Sequence, residues 1–166
     1  MSQFCLPLVE LKPERKEWLA ARNRMLTQSE SDPKKQELKE ILGRAAGEAA
    51  IIAEQESDMD ELLLRAFFFL GTDIAYVEGA ESRCHMNSAL FWLNNVEFCD
   101  LMTGYALSDD SIWRQHSWCL LHKDPASEED ISPCIVETTV KRLLYFGFKL
   151  SPSEASSFFA GNVLEV

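Results

Sequence analysis

The sequence predicts an α+β protein, with a helical N-terminal part packed on a small antiparallel sheet. Three observations carry that expectation. Before position 71, apolar residues recur at helical spacing, as in Leu38, Ile41, Leu42, Ala45, Ala49, Ile52 and Ala53. From Asp73 onward they fall in short runs broken by turn residues such as Ser108-Asp109-Asp110-Ser111. A chain of 166 residues, 46% hydrophobic and 26% charged, is long enough for one domain with its own core. The expected division is residues 1–71 helical and residues 72–166 an α+β core, within a single domain.

The elements follow in order. Leu8, Val9, Leu11, Trp18, Leu19 and Met25 suggest a helix over 8–27, started or broken by Pro13. Ser31 or Asp32 can cap a second helix, with Pro33 in its first turn, running to about Glu56. Ser57 with Asp60 resembles a capping box for a third helix over 58–70, apolar almost all round and therefore expected at the centre of the fold. Gly71 is a natural stop. Ile74–Val77 reads as a strand, and Ser82 as the cap of a helix from Arg83 to about Leu93. Phe98–Leu107 and Ile112–His122 read as a hairpin. A polar loop, Lys123–Pro133, leads to strands over Cys134–Thr139 and Leu143–Leu150, and Ser151-Pro152-Ser153-Glu154 opens a last helix. Gly104 and Gly147 suggest bulges or turns.

Net charge is −11, which repels phosphate backbones, so a nucleic-acid partner is not expected. No apolar stretch approaches the roughly 20 residues that span a bilayer, so no membrane partner is expected either. The first seven residues lack the basic and long apolar regions of a secretory leader. Five cysteines at irregular spacing, without a Cys-x-x-Cys pair, suit free thiols in a reducing compartment, and the expected location is cytoplasmic. There is no His-Glu-x-x-His, Walker loop or Gly-x-Gly-x-x-Gly, so neither a metal nor a cofactor is indicated.

One constellation suggests chemistry. Cys84, in Ser82-Arg83-Cys84-His85-Met86-Asn87-Ser88, falls in the first turn of its helix. There, unpaired N–H groups and the positive end of the dipole favour a thiolate, with Arg83 a possible further contributor. His116 lies mid-strand, with alternation placing Arg114, His116 and Trp118 on one face and Trp113, Gln115 and Ser117 on the other. Glu137 lies on the next strand, where it can accept a proton from the far nitrogen of His116 and orient the ring. Asp124 and Asp130 are the alternatives for that role. A thiol, a base and an orienting acid on a helix start and two neighbouring strands is the layout of a nucleophilic triad.

These residues carry a resemblance. The order Cys84, then His116-Ser117-Trp118, then Glu137-Thr138 resembles the transglutaminase-like group of the papain-like superfamily. The likeness covers about residues 74–150. It implies a nucleophile opening a helix packed on an antiparallel sheet, with base and acid on consecutive strands, and an activity among peptidases, amidases, deamidases, transglutaminases and acyltransferases. The acid in that group is commonly Asp, and Glu137 is longer by one methylene.

Around the triad, the Cys84 N–H is the natural first oxyanion donor. Asn87, one turn on, Gln115 and Tyr76 are candidates for the second, while Trp118, Trp113, Trp92 and Tyr105 are candidate cleft walls. His85 is at most a substrate contact. The expected function is a thiol hydrolase or acyltransferase acting on an amide or ester bond of a peptide, protein or small amide. The alternative is a non-enzymatic acidic interaction protein, an adaptor, inhibitor or immunity protein, with the N-terminal helices as its partner surface.

Overall fold

The computed structural model describes residues 32–123 and 129–164. The expected helix over 8–27, along with Asp124, lies outside the described residues. The element order is α1 (Pro33–Ala45), β1 (Ala49–Ile51), α2 (Met59–Arg65), β2 (Phe67–Leu70), β3 (Ile74–Tyr76), α3 (Cys84–Asn94), β4 (Cys99–Leu107), β5 (Ile112–Lys123), β6 (Asp130–Glu137), β7 (Leu144–Lys149) and α4 (Pro152–Phe159). A π-helical turn over Ala160–Leu164 follows α4. The chain is α+β, as expected.

The first helix begins as its sequence directs and ends early. Asp32 accepts the Lys34 N–H at 2.9 Å, with Pro33 in the first turn, and Leu38 and Leu42 form a fully buried stripe. The expected continuation to Glu56 does not occur. Gly47 turns the chain at φ +89°, where a Cβ would lie 2.9 Å from both Leu107 and Trp113. Ala49–Ile51 then pairs in parallel with Ile112–Arg114. Alanine and isoleucine satisfy both helical spacing and a short strand, so the turn and the available strand edge decide.

The expected third helix is likewise two elements. The Met59–Arg65 helix buries only Met59 and Leu62, while Leu64 is 83% exposed. Asp58, not Ser57, occupies its N-cap, and no side chain caps it. Phe67–Leu70 leaves the helix to pair antiparallel with Leu144–Gly147 at the sheet edge. An apolar run of Phe-Phe-Phe-Leu was expected at the centre of the fold, but Phe67 and Phe68 are 51% and 41% exposed. Arg65 closes the junction, its guanidinium 4.8 Å from the Phe148 ring centroid and donating to the Lys149 carbonyl at 2.6 Å.

The sheet has seven strands in the order β2-β7-β4-β5-β6-β3, with β1 beside β5. It curls, and it is mixed rather than purely antiparallel: β3 joins β6, and β1 joins β5, in parallel. The β4–β7 register runs without interruption from Met102↔Lys149 to Leu107↔Leu144, so Gly104 and Gly147 are not bulges. They are close approaches. A Cβ at Gly147 would lie 2.3 Å from the Thr103 carbonyl and 2.6 Å from the Trp118 ring. The main core, with Leu38, Leu42, Leu62, Leu101, Tyr105, Trp113, Cys119 and Phe148, fills one face of the sheet. A smaller cluster of Met102, Ala106, Trp118, Ile135 and Tyr145 fills the other.

Strand β5 has a gap in its pairing that positions the site. On one edge β4 pairs along it from Trp113 to Leu121. On the other, β1 reaches only Arg114 and β6 begins at Cys119. Residues 115–118 have no strand partner there among the described residues, and the N-terminus of α3 comes to that opening. Ser88 anchors the helix by donating to the Ser117 carbonyl at 2.9 Å, and Cys119 donates to the Ser88 carbonyl at 3.3 Å.

Candidate active site

Cys84 is the first residue of α3, and its cap is Arg83 rather than Ser82, which adopts φ 58° in the preceding turn. The His116 side chain and the backbone N–H groups of Ser117 and His85 act on the sulfur. Burial works against a charged sulfur, but the His116 hydrogen bond and charge, with those two N–H groups, outweigh it and hold the thiol below its ordinary range. Arg83 takes no part, its Nη1 contacting Met86 Sδ at 4.0 Å.

His116 is 1% exposed and its Nε2 lies 2.8 Å from Glu137 Oε2. That leaves the other ring nitrogen for the thiol. Burial opposes protonation, yet the hydrogen bonds and charges of Cys84 and Glu137 raise its pKa above the ordinary imidazole value. Glu137 is fully buried. Its Oε1 accepts from Thr138 N at 2.9 Å, Thr139 N at 3.0 Å and Thr139 Oγ1 at 3.0 Å, and its Oε2 also accepts from Tyr145 OH at 3.0 Å. Burial raises its pKa, but His116, Thr139 and Tyr145 outweigh burial and keep the carboxylate ionised. A buried charge is costly without such partners, and here each member supplies the next. Glu137 is the last residue of β6, and the chain bends through Thr138 and Thr139 beyond it. Asp130 stands at the opposite end of β6, in strand register with Lys123.

The expected supporting residues divide. Trp118 is fully buried and stacks with His116 at 6.2 Å and 16°, and packs on Tyr145 at 5.0 Å. It covers the base rather than walling a substrate cleft. Asn87 is engaged with the preceding loop: its Nδ2 donates to the Ala80 carbonyl at 2.7 Å while its Oδ1 accepts the Ala80 N–H at 3.1 Å. This two-point clasp fixes the loop entering α3, and Gly79 makes room for it, since a Cβ there would lie 2.5 Å from Asn87 Nδ2. Tyr76 donates to the Thr139 carbonyl at 2.5 Å, bracing the turn that holds Glu137. Gln115 faces the other side of the sheet, near Glu56 at 3.3 Å. Trp113 and Tyr105 are core residues, satisfied by the Ala46 carbonyl at 2.7 Å and Glu56 at 2.5 Å.

Tyr145, Thr139 and the Ser117 N–H escaped the sequence reading. A serine or threonine pair directly after a strand-end carboxylate is a local signal for hydrogen bonding back to it. Tyr145 reaches Glu137 only through strand order, which no local pattern discloses. Among the described residues no group of His, Cys, Asp and Glu is arranged to hold a metal ion, and no helix is long and apolar enough to cross a membrane. Compared with known proteins, the chain matches no family model, no curated protein and no solved structure.

Proposed function

We propose that the protein is a thiol hydrolase or acyltransferase acting on an amide or ester carbonyl, with Cys84 as nucleophile, His116 as base and acid, and Glu137 as the group that orients His116. The observation that carries this reading is the buried His116 Nε2–Glu137 Oε2 pair at 2.8 Å, with the other side of His116 acting on the Cys84 thiol at the head of α3. Each shift favours the charged form: a depressed thiol, a raised imidazole and a depressed carboxylate. In the first step the thiolate attacks the carbonyl carbon, and the C–S bond forms. His116 gives its proton to the leaving amine or alcohol as the C–N or C–O bond breaks. In the second step water or an amine attacks the thioester, His116 takes its proton, and the thiolate leaves. The Cys84 backbone N–H at the head of α3 is the natural donor to the oxyanion.

A papain-like or transglutaminase-like core is part of the same proposal. It is supported by a cysteine-headed helix against the sheet, with base and acid on the antiparallel neighbours β5 and β6. The free thiols Cys84, Cys99, Cys119 and Cys134 suit a reducing, cytoplasmic setting. Thiol alkylation tests the chemistry before any substrate is known. Iodoacetamide at pH 6 to 7, with adducts mapped by mass spectrometry, is expected to label Cys84 first, and His116→Ala to abolish that preference in a folded variant. Even or negligible labelling of all cysteines would instead favour the non-enzymatic interaction protein. With peptide and ester panels, Cys84→Ala is expected to lose all turnover; retained turnover would remove the proposal.

A further inference from the structure

The head of α3 has no side-chain cap of its own. Arg83 holds the N-cap position without a side-chain hydrogen bond, so contacts across the fold orient the first turn. Strand alternation places His116 on one face of β5, stacked with Trp118, and Ser117 on the other, in register with Thr103. Consecutive residues of a helix point roughly 100° apart. The head of α3 therefore straddles the open edge of β5. Cys84 serves His116 on one side, and His85 meets Ser117 on the other.

Several contacts hold the Ser117 side. His85 Nδ1 lies 2.6 Å from Ser117 Oγ, a hydrogen bond that forms with either group as donor. Ser117 Oγ also lies 3.3 Å from Thr103 Oγ1. One turn on, Ser88 Oγ donates to the Ser117 carbonyl at 2.9 Å, and both serines are fully buried. Phe158 of α4 meets the His85 ring edge-on at 5.7 Å. Burial, with the charge of His116, keeps that ring neutral down to about 4, so the contact persists where the thiol reacts. The other titratable groups around this junction are Cys84, His116 and Glu137 on the triad side, and Asp58, Glu61 and Glu154 in the cleft that His85 lines.

We propose that His85 and Ser117 are positioning residues: their side-chain contact seats the uncapped head of α3 on β5 and so fixes Cys84 against His116. The proposal rests on the thiol-enzyme reading of Cys84 and adds to it two side chains that act through their neighbours. The chain order gives the contact its leverage. His85 follows Cys84 and Ser117 follows His116, so a single bond between the second members holds the first members one peptide link away. A misplacement of about 1 Å between reacting groups can cost roughly a hundredfold in rate.

Alkylation of Cys84 by iodoacetamide tests it on the whole chain, followed from pH 5 to 9 by peptide mass, with near-ultraviolet circular dichroism as the folding control. Ser117→Ala and His85→Phe are each expected to lower the rate at pH 6 about tenfold and to move the acid limb up by about one pH unit. The double variant is expected to fall no further than the single ones, because both lose the same contact. His85→Asn, whose amide reaches the position of Nδ1, is expected to restore the limb. An unmoved limb in folded Ser117→Ala, single effects that multiply in the double variant, or a His85→Asn no better than His85→Phe overturns the positioning role. Where His85→Phe does not fold, Ser117→Ala decides alone. Labelling of wild-type Cys84 no faster than that of the half-buried Cys134 removes the thiol-enzyme reading and the proposal with it. Fast wild-type labelling with unmoved limbs in the variants removes the proposal alone.

Discussion

Replacing Glu137 by glutamine removes one charge from a site with no solvent to compensate. The side chain keeps its shape, but the carboxylate that accepts from His116 at 2.8 Å becomes a neutral amide. A hydrogen bond to a charged group contributes about 1.5–3 kcal/mol, and one pKa unit corresponds to ~1.36 kcal/mol. The imidazolium is therefore expected to lose roughly one to two units of pKa. Glu137 is not among the groups acting on the sulfur, so its effect reaches Cys84 through His116. With the imidazolium less stable, the thiolate–imidazolium pair at pH 6 should fall about tenfold or more. The assay is the alkylation rate of Cys84 by iodoacetamide from pH 4 to 9, read by peptide mass, with near-ultraviolet circular dichroism as the folding control. The wild-type protein should hold its plateau below the ordinary thiol range, and the variant's acid limb should move up by about one to two pH units. An unchanged rate and an unchanged acid limb in a folded Glu137→Gln would refute the electrostatic chain.

Three further outcomes follow from the same geometry. Tyr145→Phe removes one of the two donors on Glu137 Oε2 but keeps the charge, so the carboxylate draws the His116 proton more strongly and the acid limb should hold or move slightly down, opposite to Glu137→Gln, in the same assay. Glu137 also makes stability depend on pH. Its folded pKa lies below the ordinary 4.5, so its contribution is present above 4.5 and is lost as pH falls through the depressed native value. Urea unfolding should show the gap between wild type and Glu137→Gln closing over that acid window. Gly147→Ala places a Cβ 2.3 Å from the Thr103 carbonyl and 2.6 Å from Trp118. Overpacking there should cost about 2 kcal/mol, a fall in Tm of roughly 4–8 °C by calorimetry.

The candidate site was more legible than the fold around it. Cys84, His116 and Glu137 each stood on a local signal: a helix start, a strand interior, and the strand that follows. Alternation along β5 also sorted His116 and Trp118 from Gln115 and Ser117 correctly. The helices before position 71 misled for a physical reason. Ala49–Ile51 and Phe67–Leu70 are short apolar runs whose spacing fits either a helix or a strand, and only a free sheet edge decides between them. The edges were supplied by Ile112–Arg114 and Leu144–Gly147, tens of residues away.

What the sequence by itself determined is the set of candidate groups and their local settings, because helix ends and strand periodicity depend on neighbours a few residues apart. What only the tertiary structure decided is how those groups are held. The unpaired stretch of β5 admits the head of α3, Tyr145 arrives from β7 to share Glu137 with His116, and Gly147 clears the space for Trp118 behind the base. Asn87 became a loop clasp for the same reason. Strand order and register join residues far apart in the chain, and a buried ion pair is stable only where that long-range packing supplies every partner it needs.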